Sequence, residues 1–301
     1  MKYLDQQARI RLVSAAVLLL ACFGWPLLQL VQFSAHSELF SYILLIPVIS
    51  IYLVWTGRKS PEQPIRPSWA LAAVGWIAGG AIVAACWWAR REEWKLEPQD
   101  YLGAMTLAFL LCFWGSCFAV AGAKFMKECL FSAAFLLFMI PIPTAVLAGI
   151  DTFLQHTSAV TSVAFFKLVG EPTLREGLEV HLPGFSLTVA PECSGIHSTM
   201  VLLITSVLAS HLFLRRSWTR LALVLAVLPL AIVRNGFRIF VVGELCVHIS
   251  PDMIDSYIHR KGGPIFFALS LIPFFCWLLF LRKREGRESL APAGELPQPA
   301  K

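Results

Sequence analysis

The sequence predicts an all-α polytopic membrane protein with about eight transmembrane helices. Of its 301 residues, 57% are hydrophobic and only 15% are charged, whereas a soluble domain of this size carries about a quarter charged residues. The apolar residues also form long runs, and a helix needs roughly 20 of them to cross ~30 Å of hydrocarbon. The eight runs are 12–31, 39–56, 69–89, 101–121, 128–149, 194–214, 218–245 and 264–281.

Three of these runs are less regular than the others. The run 12–31 follows basic residues, as a secretory signal does, but it is longer than a signal core and no small-x-small cleavage site follows it. We therefore expect a retained membrane anchor. The run 39–56 is short, and 218–245 is interrupted by Arg234 and Arg238.

The distribution of Lys and Arg predicts the orientation in the membrane. Basic residues are more numerous in the loops that an inside N-terminus places in the cytoplasm. We therefore expect a prokaryotic plasma (inner) membrane protein with both termini cytoplasmic. The pI of about 9.0 then reflects topology, and no nucleic-acid partner is expected.

A less apolar segment lies between the fifth and sixth runs. Residues 151–169 have mixed apolar and polar character and predict an amphipathic helix on the outer membrane surface. Residues 174–182 and 185–189 flank a Pro183-Gly184 turn, which predicts a small extracytoplasmic β-hairpin over the outer helix ends.

Cys193 lies where this segment enters the sixth apolar run. A helix that begins at about Ser194 would present its positive end and unpaired N–H groups to the Cys193 thiol, and both favour the thiolate. Gly195 would allow close approach of another chain or side chain. Two alternatives remain, a buried structural thiol and a disulfide with Cys246.

Arginine and histidine supply further candidates near the outer face. Arg234 and Arg238 are four residues apart on one helix, so they share a face. Either arginine could stabilise a thiolate or an oxyanion, and snorkelling towards the interface is the alternative.

His259 precedes the last run and is a natural proton carrier for a thiol nucleophile, with glycines after it that permit close backbone approach. His197 competes for this role because it lies one helical turn from Cys193. The spacing leaves the choice open. The other outer histidines are His156, His181 and His248.

Together these motifs resemble the exosortase/archaeosortase family. The similarity lies in Val189-Ala-Pro-Glu-Cys-Ser-Gly-Ile-His-Ser, then Asn235-Gly-Phe-Arg238-Ile, then His259-x-x-x-Gly263, in that order. Pro141-Ile-Pro143 and Leu182-Pro-Gly184 also resemble the family's core. The resemblance covers roughly 135–275, and the first four runs match only in general hydrophobic character.

The resemblance implies a polytopic cysteine transpeptidase. Its partners would be membrane-anchored exported proteins with a C-terminal sorting tail, namely a short motif such as Pro-Glu-Pro, a transmembrane helix and a basic cluster. Cys193 would be the nucleophile, Arg238 the thiolate or oxyanion stabiliser, and His259 the acid/base. The supporting residues would be Glu192, Ser194, Gly195, His197, Arg234, Asn235 and Gly263.

The sequence also predicts how the chain is organised. We expect a single membrane domain, 1–301, with variable N-terminal spans in 1–127, a catalytic core in 128–281 and a disordered cytoplasmic tail in 286–301. No cofactor is implied, and no Cys or His cluster has metal-ligand spacing. The acceptor that receives the cleaved protein is not indicated.

One other class of enzyme fits part of this pattern. A membrane polysaccharide or lipid-linked sugar transferase or polymerase would also use outward-facing arginine and histidine, and it would not need Cys193. A transporter or scaffold would need polar residues deep in the helices, and the runs within 12–149 contain almost none.

Overall fold

The computed structural model of the chain falls into two compact units, Met1–Leu147 and Ala148–Lys301. The residues that it describes are 6–57, 66–92, 94, 96–190, 194–250 and 262–290. The predicted division into variable spans, a catalytic core and a tail stays a prediction.

The N-terminal unit is helical. Its elements are α1 (Gln6–Cys22), α2 (Gly24–His36), a 3-10 helix (Ser41–Leu45), α3 (Ile46–Thr56), α4 (Trp69–Arg91), α5 (Pro98–Glu128), α6 (Leu130–Phe135), a second 3-10 helix (Leu136–Met139) and the start of α7 (Thr144–Val169).

The C-terminal unit combines helices with a small sheet. After the remainder of α7 come β1 (Leu174–Glu176), β2 (Glu179–Leu182), β3 (Phe185–Thr188), α8 (Ile196–Phe213), α9 (Ser217–Leu225), α10 (Val227–His248) and α11 (Gly263–Leu290).

The described part of the chain contains five helices that are long and apolar enough to cross a membrane, or up to seven if each of two bent pairs is one span. The second predicted run, 39–56, forms Ser41–Thr56, which is shorter than these helices. Trp25, Trp55 and Ile77 expose 71%, 75% and 72% of their surfaces, as side chains that face lipid do. The chain is thus a multi-pass membrane protein, and the number eight stays a prediction.

The first bent pair shows why one apolar run became two helices. The predicted run 12–31 changes direction by 73° between α1 and α2. Pro26 lies in the first turn of α2. Because proline has no N–H, it cannot donate to the carbonyl four residues earlier, and the helix breaks there.

The second bend, of 86°, separates Leu130–Met139 from α7. Pro141 and Pro143 lie in the break, and Asp100 accepts hydrogen bonds from the backbone N–H and the hydroxyl of Thr144, at 2.7 and 2.8 Å. This carboxylate satisfies the first N–H group of α7. The helix predicted for 151–169 therefore begins already at Thr144.

The sheet is antiparallel with the order β1-β2-β3. The turn at Pro183-Gly184 joins β2 to β3, with Leu182 opposite Phe185, as the sequence predicts. The prediction of a single hairpin was wrong, because residues 174–182 form two strands rather than one. Gly177, with φ of 63°, adopts a left-handed conformation that turns the chain between β1 and β2.

The sheet packs on α7 and α10 through its apolar face. Leu187 and Val189 form a buried cluster with Ala159 of α7 and with Ile239 and Val242 of α10. This contact places the chain that leaves β3 beside α10 before it reaches α8.

The last helix extends beyond its apolar part. Glu285 of α11 accepts hydrogen bonds from the backbone N–H groups of Arg215 and Arg216, each at 3.0 Å, and from the hydroxyl of Thr219. The carboxylate therefore caps the start of α9. The helix continues to Leu290, so it overlaps the first residues of the predicted tail at 286–301.

Candidate functional site

Two glycines allow α7 and α10 to lie in close contact. A Cβ at Gly236 would lie 2.6 Å from the Cβ of Thr161, and one at Gly243 would lie 2.5 Å from Cζ of Phe166. Both distances are shorter than carbon atoms tolerate, so a larger residue at either position would push the helices apart. The two helices run in the same direction along this contact, because the paired positions advance together.

Asn235 lies next to this contact and is 3% exposed. Its Nδ2 donates a hydrogen bond of 2.9 Å to the hydroxyl of Ser158, which has no exposed surface. Its Oδ1 lies 2.8 Å from the position of a Cβ at Gly195. Asn235 therefore links α7 to the residue that begins α8.

Gly195 is required here for two independent reasons. Its φ is +69°, a left-handed conformation that costs residues with a Cβ about 1–2 kcal/mol. A Cβ would also collide with Oδ1 of Asn235 and would lie 3.1 Å from Nη2 of Arg234. The close approach predicted at Gly195 is therefore present.

Arg234 holds the first turn of α8. Its Nη2 donates hydrogen bonds of 3.2 Å to the carbonyl of Gly195 and to the hydroxyl of Thr199. The Thr199 hydroxyl donates to the same Gly195 carbonyl, at 2.8 Å, so its lone pairs are available to accept from the guanidinium. The carbonyl of Gly195 thus accepts hydrogen bonds from both Arg234 and Thr199.

The burial of Arg234 excludes snorkelling as its role. Its side chain is 7% exposed, and Nη1 is buried without a hydrogen-bond partner in the part of the chain that the structure describes. A buried guanidinium is costly unless it interacts with protein or ligand groups. Arg234 is therefore a buried anchor that still has a donor to offer.

Positive charge accumulates at the start of α8. Arg234 contributes a full charge, and the N-terminus of this 18-residue helix contributes roughly half a charge from its backbone dipoles. Ser194, the covalent neighbour of Cys193, is 1% exposed, and burial strengthens both interactions by excluding water. The arrangement is suited to stabilising an anion, such as a thiolate or a tetrahedral oxyanion.

The structure brings together some of the predicted site residues. Gly195 of the first motif lies beside Arg234 and Asn235 of the second. His197 lies in the first turn of α8, and Arg238 follows Arg234 by one turn on α10. His197 and Arg238 are both half-buried. At Gly263, the first residue of α11, none of the described residues lies within 4 Å of a Cβ, and the close approach expected at this glycine stays a prediction.

Three predicted residues, Glu192, Cys193 and His259, lie outside the described residues. The alternative of a disulfide between Cys193 and Cys246 involves one of them and stays a prediction. Cys246 itself is 2% exposed and belongs to the cluster of Leu187 and Val189.

Sequence reasoning did not identify Ser158, Thr199 or Gly236 as parts of this site. Ser158 and Ser162 are fully buried and four residues apart on α7. Small polar residues with this spacing in an apolar helix are typical of a helix–helix contact. That spacing was the available signal for Ser158. Nothing comparable distinguished Thr199 from the other hydroxyl residues of α8.

The fold and the site define a class: a multi-pass membrane protein that concentrates positive charge at the N-terminus of a membrane helix. A family model described as "Transmembrane exosortase" matches residues 34–276, which is most of the chain. The chain therefore belongs to the transmembrane exosortase family, whose general role is that of a membrane transpeptidase. No curated protein matches the chain, and no solved structure does.

The match begins at residue 34, well before the resemblance at 135–275 that the motifs indicated. It thus includes spans that the sequence alone related to the family only by hydrophobicity. Apolar spans of one sequence offer few distinctive residues, so their relationship is not visible from motifs.

Proposed function

We propose that the protein is a membrane-embedded cysteine protease or transpeptidase that removes the C-terminal sorting tail of exported proteins and transfers them to an acceptor. The observation that carries this proposal is the contact between Arg234 and Gly195, 39 residues apart. It joins the Cys-Ser-Gly motif to the Asn-Gly-Phe-Arg motif. A charged side chain buried against the neighbours of a cysteine supports thiolate chemistry more than a structural thiol.

The first half of the proposed reaction forms a thioester. The Cys193 thiolate attacks the scissile carbonyl carbon, so a carbon–sulfur bond forms and the carbonyl oxygen becomes an oxyanion. Arg238 stabilises this oxyanion, and protonated His259 gives its proton to the amide nitrogen as the carbon–nitrogen bond breaks. The tail leaves with a free amine.

The second half regenerates the enzyme. An acceptor amine, hydroxyl or water gives its proton to the now neutral His259 and attacks the thioester carbon. The carbon–sulfur bond then breaks and Cys193 leaves as a thiolate. In this scheme Arg234 is a positioning residue that holds the backbone beside Cys193 and adds positive charge.

The proposed substrate matches the location of this site. A sorting tail with a Pro-Glu-Pro-type motif and its own transmembrane helix would present the scissile bond at the membrane surface. We infer that both termini are cytoplasmic and that α8 begins at the outer face. Eight membrane crossings, which would include Ser41–Thr56, are consistent with this orientation.

The test is a co-expression assay. An exported reporter with a Pro-Glu-Pro-type tail is expressed with the wild-type protein, with Cys193→Ala and with the control Cys276→Ala, and is followed by gel mobility. Cys276 lies exposed on α11, so its substitution removes a thiol away from the candidate site. We expect a size shift with wild type and the control, and none with Cys193→Ala.

Processing by Cys193→Ala would contradict the proposal. If the reporter is not processed at all, labelling with a membrane-impermeant thiol reagent distinguishes a wrong tail from a wrong class. Rapid outside labelling that Cys193→Ala abolishes supports the cysteine enzyme. An unreactive Cys193 would favour the polysaccharide or lipid-linked sugar transferase.

The same assay assigns the acid/base. We expect His259→Ala to abolish processing and His197→Ala to reduce it less. The reverse result would transfer the proton-carrying role to His197, which lies in the first turn of α8.

A further inference from the structure

Away from the candidate site, two carboxylates and an imidazole meet at the end of α10. Nε2 of His248 lies 3.6 Å from Oε1 of Glu171, and Nδ1 of His248 lies 3.3 Å from Oε2 of Glu244. One ligand-type atom from each of the three residues lies within 4.8 Å of the other two. Carboxylates thus approach the ring from both sides.

The carboxylates are more buried than surface ion pairs normally are. The side chains of Glu171 and Glu244 are only 20% and 22% exposed. Oε1 of Glu244 is completely buried and has no hydrogen-bond partner within the described residues. A buried carboxylate oxygen without a partner is unfavourable, and a bound cation would give this oxygen a partner.

The backbone holds all three residues in place. Glu171 follows Gly170, and the N–H groups of both donate to the carbonyl of Phe166, at 3.0 and 3.1 Å. These bonds, with φ of 91° at Gly170, form a helix end of the Schellman type. Glu244 and His248 lie one turn apart on α10. The group is therefore assembled by two helix ends.

We propose that Glu171, Glu244 and His248 bind a divalent transition-metal ion of the Zn²⁺ class. One imidazole nitrogen with two carboxylate oxygens is a ligand set that Zn²⁺ accepts, with water in the fourth position. Mg²⁺ and Ca²⁺ prefer oxygen ligands throughout. This group could not be predicted from residue spacing, because Glu171 is far in sequence from the other two ligands.

Only a small movement closes the site. Ligand atoms of a tetrahedral zinc ion lie roughly 3.4 Å apart, given bonds of about 2.1 Å. The present separations of up to 4.8 Å would therefore have to shorten by roughly 1.4 Å. Binding would also give Oε1 or Oε2 of Glu244 a positive partner.

The ion would hold the end of α7 next to the end of α10, the two helices that pack beside the candidate site. Glu171 begins the segment that enters the sheet and leads to Cys193, and His248 ends the helix that leads to residues 251–261 and His259. Joining the two ends would stabilise both approaches to the site. The ion takes no part in the proposed reaction, so this inference does not rest on that reaction.

The experiment measures metal binding by the full chain in detergent, purified with a tag that contains no histidine. After EDTA treatment and buffer exchange, ZnCl₂, CaCl₂ or MgCl₂ is added, and thermal unfolding and bound metal are measured. We expect about one retained zinc per chain and a Tm increase specific to Zn²⁺. His248→Ala and the nearly isosteric Glu244→Gln should each weaken zinc affinity by more than roughly tenfold.

The matched control is His181→Ala. His181 also lies between two carboxylates, those of Glu176 and Glu179, but at 3.9 Å from each, and these glutamates are 71% and 55% exposed. We expect its substitution to leave zinc affinity unchanged within about twofold, because exposed ion pairs are weak.

Three results would overturn the proposal. One is the absence of a zinc-specific Tm increase in the wild type, which would leave an ion-paired His248 only. Another is an equal loss of affinity in His181→Ala. The third is a thiolate-to-metal charge-transfer band when Co²⁺ replaces Zn²⁺, since that band would assign the binding to cysteines.

Discussion

Glycine brings two helices into close contact in each of the two units. Of the two contacts, at Gly75 and at Gly236, the one at Gly236 has a buried charged residue, Arg234, beside it. In the N-terminal unit, a Cβ at Gly75 of α4 would lie 2.7 Å from the carbonyl oxygen of Leu111 and 3.0 Å from Cα of Gly115. In the C-terminal unit, Gly236 of α10 lies equally close to Thr161 of α7.

The difference lies in what surrounds each contact. Beside Gly75, Trp76 donates a hydrogen bond of 3.2 Å to the hydroxyl of Ser116, which donates to the carbonyl of Cys112 at 2.9 Å. These groups are all uncharged. Beside Gly236, Asn235 and Arg234 are buried and bonded to Ser158 and Gly195. Close packing alone stabilises a membrane helix pair, whereas a buried guanidinium is retained for chemistry or specificity.

The largest effect should come from Gly195→Ala. The substitution combines left-handed strain with a collision against Asn235, so we expect a loss of about 2–5 kcal/mol in the free energy of unfolding and loss of processing. The control Gly184→Ala has a similar φ, +75°, with nothing within 4 Å, and should lose only about 1–2 kcal/mol. Chemical denaturation in detergent measures both. Equal losses would mean that the approach of Asn235 is unimportant.

The next effect concerns the buried charge itself. Lysine lacks the fork that lets Arg234 reach Gly195 and Thr199 together, so Arg234→Lys should slow reporter processing by roughly 10²-fold. It should also slow labelling of Cys193 by a thiol reagent at fixed pH, which a purely structural role would not do. Arg220→Lys is the control, because Nε of Arg220 donates to the carbonyl of Leu214, at 2.9 Å, outside the site. An unchanged labelling rate in Arg234→Lys would mean that Arg234 does not act on the Cys193 thiolate through its charge.

A smaller effect is expected in the apolar contact. Gly75→Ala should lower the free energy of unfolding by about 1–3 kcal/mol, because backbone atoms of α5 must move. Gly80→Ala, on the same helix with nothing within 4 Å, should instead raise it by up to about 1 kcal/mol through helix propensity. Neither should change the processing rate of folded protein. A rate change in Gly75→Ala would give this contact a functional part.

The smallest effect is the coupling between Asn235 and Ser158. A double-mutant cycle with Asn235→Ala and Ser158→Ala should give about 0.6 kcal/mol, the average for hydrogen bonds between membrane helices. The same cycle on Trp76→Phe and Ser116→Ala, whose bond is longer at 3.2 Å, should give less. A larger coupling at Trp76 would reverse the comparison.

The motifs predicted part of the site for a physical reason. Gly195, Arg234 and Asn235 belong to residue types that are rare in apolar helices or special in conformation, so each is conspicuous in one sequence. Ser158 and Thr199 are ordinary helix residues. Their roles depend on which helix lies opposite, and no local pattern contains that information.

The sequence likewise predicted some features of the fold and missed others. Hydrophobicity alone determined that the chain is a multi-pass membrane protein, because roughly 20 apolar residues in a row have few alternatives to crossing a bilayer. The Pro183-Gly184 turn was equally local. Hydrophobicity did not reveal the bends at Phe23 and at 140–143, because proline and a capping carboxylate act on backbone hydrogen bonds and leave the apolar run intact.

What only the tertiary structure decided are the contacts between residues far apart in the chain. Arg234 bonds to Gly195, and Glu171 meets Glu244 and His248. Local sequence determines which groups are available and which backbone conformations they favour. Their distances are set when helix ends and close-packed glycines bring separate segments together.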